Sequence, residues 1–534
     1  AYAHANVDTE TDQFAEAAAL ADRLPALSDQ LLTFLPGPSG RPLDFEADIR
    51  PWLAGEVALS LVPGAGGRPE QALLFEVADT AGAQSFAEGL ASGPLTEGEH
   101  SGVAVRTDQR GNSSAVVSGF LVLGPQPAVE QTIDVAQGNE RSLTSSPLSE
   151  QVLEALPEDA VAEVALSEEG VAELLAGSRG APGSLEAFVD FDASVGAGAA
   201  LVADEEALEI AVHSELDPEE LEASPGFFEA FANFDPALTS ELSPETLAYL
   251  GLGDPAASIE DLFTQAIAEA PGVATGFDEL IDDLQKTGKL DVQSELLPLL
   301  EGEAAFTVQP AAPGDGGGEG GAGGAEGEPQ VPGEDIGEPS PGETPAEELL
   351  PPEGAPAPPG VVPPSGVPYL LFVADEVDES AAREALAKLQ GPLAEALDPA
   401  EGLQAPVFED REIEGIEAQS LRLSRTVDLT YAVFDGRLVV ATDPRGIAQV
   451  ANAKDESLAD TVAYEDATEG LPEEPSLLAY FNVADLLALA EREGLGEDPA
   501  YAFFAADARR LTSLALAVEQ GETTLDTTVR IPVE

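Results

Sequence analysis

Hydrophobic positions along the chain follow a helical period first and a strand period after it. From Thr11 an apolar stripe recurs every three to four residues until Pro25; it consists of Phe14, Ala17, Ala21 and Leu24. Residues 57–62 and 71–78 are apolar runs separated by the Gly/Pro-rich stretch 63–69. The first pattern predicts an amphipathic helix, and the second predicts a β-hairpin.

A second helix and a set of strands follow the hairpin. Asp79 has the position of an N-cap, because its carboxylate can accept the free backbone N–H groups of a first helical turn. The helix behind it has an apolar face made of Ala83, Phe86, Ala87 and Leu90. Strands are predicted near 102–107, 113–118 and 120–123, and two long ones at 188–202 and 207–216. The short connections favour antiparallel pairing.

Most of this pattern occurs twice. The stretch 50–62 returns at 297–309 with a constant offset of 247; the matched pairs are Pro51/Pro298, Leu53/Leu300, Gly55/Gly302 and Glu56/Glu303. Leu371-Phe372 echoes Leu74-Phe75, and Asp378 with the apolar face after it echoes Asp79. The sequence therefore predicts a duplicated unit. Trp52, the single tryptophan, corresponds to Leu299, so we interpret it as a packing position.

We predict an α+β fold of two tandem pseudo-repeats, 1–217 and 247–534, each a mainly antiparallel sheet with helices packed on one face. Residues 218–246 form an aromatic-rich connector. The stretch 310–366 consists mainly of Gly, Pro, Glu and Ala, so it cannot bury enough apolar surface to offset its ordering entropy. We predict that it is a disordered low-complexity insertion within a hairpin.

The charge balance excludes one class of partner. The chain has 101 Asp and Glu against 22 Lys and Arg, a formal charge of −79. Such a surface repels nucleic acid, whose binding requires cations that replace counterions. Three interpretations of the acidity stay open: adaptation to high salt, a calcium-rich exterior, or a strongly hydrated extracytoplasmic protein.

Catalytic and metal-binding signatures are absent from the sequence. There is no cysteine, and the three histidines have no metal-ligand spacing. No Gly-x-Ser-x-Gly elbow and no phosphate-binding Gly-rich loop occur. Asp190 and Asp192 are weak candidates for a metal pair, because alternate residues of a strand share a face. We expect no cofactor, and at most weak, non-specific Ca²⁺ binding by the acidic surface.

An aromatic cluster is the remaining candidate site. It lies in the connector and consists of Phe227, Phe228, Phe231 and Phe234. One reading is a hydrophobic patch for a ligand or partner. The other is a core seam that joins the two halves, because aromatic residues at helical spacing are usually buried.

The chain resembles a bacterial family known as domain-of-unknown-function family 3352. The resemblance is carried by Ala1-Tyr2, Asp8 and Asp12-Gln13, by the stretch from Asp48 to Gly55, and by the hairpin and capped helix at 71–90. It implies an envelope protein with one N-terminal membrane span and a large extracytoplasmic part. The span is not in this sequence, which begins at Ala1 without a methionine. We therefore expect an extracytoplasmic chain whose full-length form is membrane-anchored.

Three functions follow from these features as hypotheses. The leading one is a non-enzymatic envelope scaffold or interaction module with an envelope protein or lipid partner. The second is a carrier of a hydrophobic, lipid-like ligand held between sheet and helices. The third is a carboxylate-dependent hydrolase. An apolar cavity of several hundred Å³ favours the carrier, whereas converging buried carboxylates in a cleft favour the enzyme.

Overall fold

The computed structural model describes residues 1–26, 45–63, 69–167, 194–204, 206–223, 231–257, 290–311, 367–396, 407–424, 427–452 and 456–534. The predicted insertion lies almost wholly outside these ranges. Residues 1–309 and 369–534 belong to one compact unit, and residues 310–368 lie outside it in a second unit. Of the second unit only 310, 311, 367 and 368 are described.

The described residues contain twenty strands, ten in each half. The first half has β1 (Tyr2–Asn6), β2 (Leu53–Pro63), β3 (Pro69–Val77), β4 (Thr96–His100), β5 (Val103–Thr107), β6 (Asn112–Val117), β7 (Phe120–Pro125), β8 (Ala162–Ser167), β9 (Ser194–Ala203) and β10 (Ala207–Leu216). The second half has β11 (Ala248–Gly253), β12 (Glu303–Gln309), β13 (Tyr369–Ala374), β14 (Glu409–Ile413), β15 (Ile416–Arg422), β16 (Asp428–Phe434), β17 (Arg437–Ala441), β18 (Leu477–Phe481), β19 (Leu514–Gln520) and β20 (Thr524–Pro532).

All strand pairs are antiparallel, and they form one continuous sheet. The first half has the spatial order β4-β5-β6-β7-β3-β2-β1-β8-β9-β10. The second half has the corresponding order from β14 to β20. The pair β10–β20 joins the halves over nine residue pairs, from Ala207↔Pro532 to Glu215↔Thr524. The α+β class and the antiparallel sheet are thus confirmed. The domain boundaries stay a prediction.

The pairing of residues between strands corrects one of the sequence matches between the two halves. Leu73 pairs with Leu59 and Phe75 with Val57, whereas Phe372 pairs with Phe306 and Ala374 with Ala304. Since Val57 and Ala304 are 247 apart, Phe75 corresponds to Ala374 rather than to Phe372. The echo of Leu74-Phe75 in Leu371-Phe372 was therefore displaced by two residues. A displacement of two keeps each side chain on the same face.

The α-helices of the described residues connect these strands. They are α1 (Asp12–Arg23), α2 (Thr80–Leu90), α3 (Gln126–Ala136), α4 (Pro147–Glu154), α5 (Pro218–Ala223), α6 (Glu379–Ala396), α7 (Arg445–Asn452), α8 (Val462–Thr468), α9 (Val483–Arg492) and α10 (Pro499–Ala508). The predicted N-cap is confirmed, because the Asp79 carboxylate accepts a hydrogen bond from the backbone N–H of Ala81 at 3.0 Å. Across these ranges no helix is long and apolar enough to span a membrane.

Helices pack on both faces of the sheet. Helix α2 lies against Phe75 and Leu121, whereas α3 lies against Ala72 and Val122 on the opposite face. The prediction of helices on one face only is therefore wrong. Its physical reason is that β3 and β7 are apolar at successive positions, so both of their faces must be removed from water. We call the face that carries α2 and α6 the cavity face.

Candidate ligand-binding site

A cavity of about 470 Å³ lies between α2 and the cavity face of the first half. We call it the helix–sheet cavity. Its apolar walls come from the strands at Leu73, Phe75 and Leu123, from α2 at Phe86, Ala87 and Leu90, and from Leu95. Polar side chains line the rest, among them Gln71, Arg106, Asp108, Arg110, Asn112 and Ser114. Its volume lies in the range of roughly 300–1,000 Å³ that is typical of small-molecule sites.

Helix α2 sits close to the sheet at one end of the cavity because of small residues. Ala83 and Ala87 are buried against Phe75 and Leu121. Gly82 faces Trp52, and a Cβ added there would lie 2.8 Å from the Trp52 Cβ. Helix α2 and the sheet are in close contact at this end. From Phe75 and Ala87 the cavity extends towards Leu90.

Trp52 forms the wall behind the closed end of the cavity. Its side chain is only 3% exposed, and its indole Nε1–H donates to the Asp48 carbonyl at 2.8 Å. Its ring centroid lies 5.0 Å from that of Phe86 and 5.7 Å from that of Phe75. The interpretation of Trp52 as a packing position is confirmed. As the single tryptophan, it can also report on what occupies the cavity.

Exposure rises steadily from this closed end to the mouth. Along β3, Phe75 is buried, Leu73 is half-buried and Gln71 is exposed. The neighbouring strands repeat the gradient, since Leu121 is buried at the closed end and Asn112 is exposed at the mouth. The cavity therefore has an apolar, closed end and a polar, open end.

Asp108 holds the mouth together. Its Oδ1 accepts the backbone N–H groups of Arg110 at 2.8 Å and Asn112 at 2.9 Å, and its Oδ2 accepts that of Ser92 at 3.1 Å. Burial of the carboxyl acts to raise its pKa, but these backbone hydrogen bonds outweigh burial and lower the pKa. The carboxylate thus fixes the β5–β6 turn against the end of α2 and presents Arg110 at the mouth.

The corresponding place in the second half is filled. Ser114 pairs with Leu123 in β6–β7, and Tyr431 pairs with Val440 in the equivalent pair β16–β17. The Tyr431 hydroxyl accepts a hydrogen bond from Gln390 of α6 at 2.7 Å, and its ring lies 5.7 Å from that of Phe408. The cavity of the first half therefore depends on the smaller side chains that line it.

The second half has a different apolar recess on the cavity face. This second-half groove has a volume of about 440 Å³ and crosses β18, β11, β12, β13 and β17. It exposes 50% of Phe306, 59% of Leu370 and 40% of Phe481. Leu370 stands where the first half has the polar Gln71. The second-half groove therefore lacks the polar mouth of the helix–sheet cavity.

Among the described residues, the arrangement most similar to a catalytic constellation lies at the β4–β5 turn. His100 Nε2 lies 2.8 Å from Asp134 Oδ2, and Ser101 Oγ–H donates to Asp134 Oδ1 at 2.7 Å. Hydrogen bonds from Ser101 and His100 lower the pKa of Asp134 to about 2. In a nucleophilic triad the base contacts the serine. Here both side chains bind the same carboxylate, so the cluster ties a turn to α3 and does not activate the serine.

A second carboxyl, that of Glu303, also accepts hydrogen bonds through both of its oxygens. Its Oε2 accepts the Leu238 backbone N–H at 2.9 Å, and its Oε1 accepts the Tyr249 hydroxyl at 3.2 Å. Burial, followed by the nearby charges of Asp375 and Asp235, raises the pKa of Glu303 to about 7 against these hydrogen bonds. It fastens the turn at Ala237–Glu241 to β12.

The raised pKa of Glu303 predicts a pH-dependent stability. A carboxyl with a raised folded-state pKa stabilises the fold fully below its unfolded pKa of about 4.5, and loses that contribution as pH rises through 7. Glu303→Gln removes this titration, so the unfolding free energy of the variant relative to the wild type should rise by up to about 3 kcal/mol between pH 4 and pH 8. Urea unfolding at both pH values measures this. The exposed counterpart Glu56→Gln is the control and should show no such gain; a difference between E303Q and wild type that is the same at both pH values contradicts the prediction.

His213 lies at the β10–β20 seam. Its Nδ1 is 2.6 Å from Asp526 Oδ1, and its Nε2 is 3.3 Å from Glu215 Oε1. The hydrogen bond to Asp526 raises the pKa of His213 despite the opposing effect of burial. The His213–Asp526 pair links the two halves. Neither residue lines the helix–sheet cavity or the second-half groove.

The structure places only part of the residues singled out from sequence. Asp190, Asp192, Phe227 and Phe228 lie outside the described residues. Phe231 is 3% exposed and packs among residues of β10, β11 and β18–β20, and Phe234 packs against the second-half core. These two side chains belong to the packed interior, and the four-residue ligand patch stays a prediction. Among the described residues no group of three or more His, Asp or Glu could hold a metal ion.

Sequence reasoning missed the helix–sheet cavity. Its lining residues are spread over four strands and one helix, and none belongs to a known motif. One signal was present: the first half has Ser114 and Leu95 where the second half has the larger Tyr431 and Phe408. That contrast becomes visible only when the strand register aligns the halves.

Comparison with known proteins gives a family and little else. A family model described as "Protein of unknown function (DUF3352)" matches residues 10–328, which include every residue that lines the helix–sheet cavity. No curated protein matches the chain. Among solved structures, the chain is similar to one titled "Structure of crystal form I of TP0453", at 10% identity and a TM-score of 0.23 over 40% of this chain and 74% of that one. So weak a likeness carries no argument.

Proposed function

The chain belongs to the DUF3352 family of proteins of unknown function, and on that premise we propose a function from its own geometry. It is a non-enzymatic binding protein that carries an amphiphile, with the apolar part of the ligand in the helix–sheet cavity. The observation that carries this proposal is the cavity itself: about 470 Å³, apolar at its closed end and polar at its mouth.

The energetics favour an apolar ligand there. Leu73, Phe75, Phe86, Leu90 and Leu123 present a continuous hydrocarbon surface inside the cavity. Each methylene group that leaves water for such a surface contributes about 0.8 kcal/mol. The polar residues at the mouth can form hydrogen bonds with the head group of the ligand. The head group is then not buried without partners, and the apolar chain is removed from water.

The place of action that we propose rests on the family resemblance. Members of the family resemble envelope proteins with one N-terminal membrane span, so we place this chain outside the cytoplasm and on a membrane anchor. An amphiphile carrier at the envelope would meet its ligand at the membrane surface. The acidic exterior would keep it from nucleic acid.

Quenching of Trp52 fluorescence tests the proposal. Stearate labelled with a nitroxide in mid-chain is titrated into the protein, with excitation of the single tryptophan. Because Trp52 contacts Phe75 and Phe86, occupancy of the cavity should quench its emission saturably. Absence of saturable quenching would contradict the proposal.

Two serine variants make the test specific to the cavity. Ser114→Tyr introduces the residue that fills this place in the second half, and it should weaken binding by about tenfold or more. Ser85→Tyr is the matched control, since Ser85 is exposed on α2, and it should bind as the wild type does. The thermal melt of S114Y should stay at or above that of the wild type, which shows that it folds. Unchanged binding by S114Y would place the ligand elsewhere.

A second candidate function is the interaction module predicted from sequence. The observation in its favour is the second-half groove, which is lined by the exposed side chains of Phe306, Leu370 and Phe481. Contiguous apolar surface of this kind is a feature of interaction sites. An envelope protein partner would cover it, and Leu370→Glu should then abolish that partner's binding while leaving amphiphile quenching at Trp52 intact.

A further inference from the structure

We propose that the amphiphile carries an anionic head group, which binds Arg110 at the mouth of the helix–sheet cavity while its tail points to Trp52. This inference rests on the proposed function and adds the charge and direction of the ligand. Its basis is the juxtaposition of an exposed guanidinium with the open end of an apolar cavity, in a chain of formal charge −79.

The polarity of the cavity sets the direction of the ligand. Gln71 and Phe75 are four residues apart on β3, a span of about 13 Å at ~3.3 Å per residue. Over that span the lining changes from exposed and polar to buried and aromatic. A head group placed at the Phe75 end would lose its hydration against Phe86 and Ala87, which offer no hydrogen bonds in return. The tail therefore occupies the closed end.

Among the charged groups of the lining, Arg110 is the one available to a ligand. Arg106 is already bound to Glu88, with Nη1 to Oε1 at 2.8 Å, and lies near Glu97. Asp108 accepts three backbone N–H groups. Arg110 is exposed and, within the described ranges, its guanidinium has no carboxylate partner.

Glu70 also lines the mouth, but strand geometry turns its side chain away. It precedes Gln71, and successive residues of a strand point to opposite faces. Its pairing partner across β2–β3 is Val62, which packs with the core on the α3 side. The carboxylate has one buried oxygen without a hydrogen-bond partner, and on this geometry that oxygen belongs to the opposite face. Among the described residues, the charge at the mouth that has no partner of opposite sign is therefore that of Arg110.

An arginine in this position selects for carboxylate or phosphate heads. Guanidinium groups bind both through paired, charge-assisted hydrogen bonds. A free fatty acid and a lysophospholipid present the same chemistry, an anionic head on a single apolar chain. The probe is nitroxide-labelled stearate. Unlabelled stearate and lysophosphatidic acid are each added as a competitor, and the one that displaces the probe at the lower concentration identifies the source.

Positional labels test the direction. Stearates with the nitroxide at carbon 5 and at carbon 16 are compared for the depth of Trp52 quenching at saturation. The carbon-16 label should quench more strongly, because it lies nearest Phe75 and Phe86. Stronger quenching by the carbon-5 label would overturn the proposed direction while leaving the binding function in place.

The charge is tested with stearate and its neutral methyl ester, both labelled at carbon 16. The wild type should bind the acid roughly fivefold to tenfold more tightly than the ester. Arg110→Gln should reduce this ratio to about one. Arg141→Gln removes the same charge from an exposed loop position outside the cavity and should keep the wild-type ratio. Equal binding of acid and ester by the wild type overturns the anionic head, whereas quenching by neither overturns the proposed function itself.

Discussion

Replacing Arg530 with alanine should lower the free energy of unfolding by about 3 kcal/mol, because it removes a buried guanidinium from acids that themselves keep part of their side chains in water. Arg530 lies on β20 at the seam between the halves and is 8% exposed. Its guanidinium contacts Asp204 and Glu469 at 3.1 Å and Glu209 at 3.7 Å, and its Nε–H donates to the Asp466 carbonyl at 3.0 Å. Without it, these acids face one another in an already anionic chain. Urea unfolding monitored by circular dichroism measures the loss.

A surface arginine supplies the comparison. Arg509 pairs with Glu491 at 2.8 Å but keeps 60% of its side chain exposed. Exposed ion pairs contribute little, so Arg509→Ala should cost less than about 1 kcal/mol. If R530A and R509A destabilise the protein equally, the seam does not depend on the buried guanidinium.

Replacing Trp52 with alanine should cost about 3–5 kcal/mol, as expected for deletion of a fully buried aromatic side chain. The indole packs against Phe75 and Phe86 and donates a hydrogen bond to the Asp48 carbonyl. Trp52→Leu should cost much less, about 1–2 kcal/mol. Its counterpart Leu299 is itself buried, at 4% exposure, in the equivalent cluster of the second half.

Thermal and urea unfolding by circular dichroism suit this pair, because both variants lack tryptophan emission. The difference between them is the decisive quantity. Leucine fills most of the space that alanine leaves empty, so W52A must be the less stable by a clear margin. Equal losses for W52A and W52L would show that the indole hydrogen bond, rather than its volume, stabilises this corner.

Local structure was predictable where each element has its own signal. The Asp79 cap, the helix from residue 12 and the hairpin of β2 and β3 follow from residues adjacent in sequence. The single sheet of twenty strands does not, because the β10–β20 pair joins residues more than 300 positions apart. Nothing in the alternation of Ala207–Leu216 specifies which strand will be its neighbour.

The helices on both faces were missed for a related reason. The prediction of helices on one face uses the apolar run in β3 only as evidence for a strand of a hairpin. Its successive positions Ala72, Leu73, Leu74 and Phe75 are all apolar, and each face packs with a different cluster. A continuous apolar run indicates burial on both faces, and this signal was available in the sequence.

The candidate site was less predictable than the fold. A cavity forms where neighbouring side chains are too small to fill the space between two elements. The hydrophobic pattern of a sequence shows the polarity of each position and does not show whether the side chains fill that space. Ser114 and Tyr431 both fit a strand, yet one leaves space beside α2 and the other fills the equivalent space beside α6. Residues that stood out by type, such as Phe231, belong to the packed interior instead.

Native mass spectrometry of the protein purified from its host tests the central claim most directly. The account predicts that the wild type and Ser85→Tyr retain a bound species of the mass of a single-chain amphiphile, and that Ser114→Tyr, equally folded, retains none. A bare polypeptide mass for the wild type, or the same bound species on Ser114→Tyr, would contradict an amphiphile in the helix–sheet cavity.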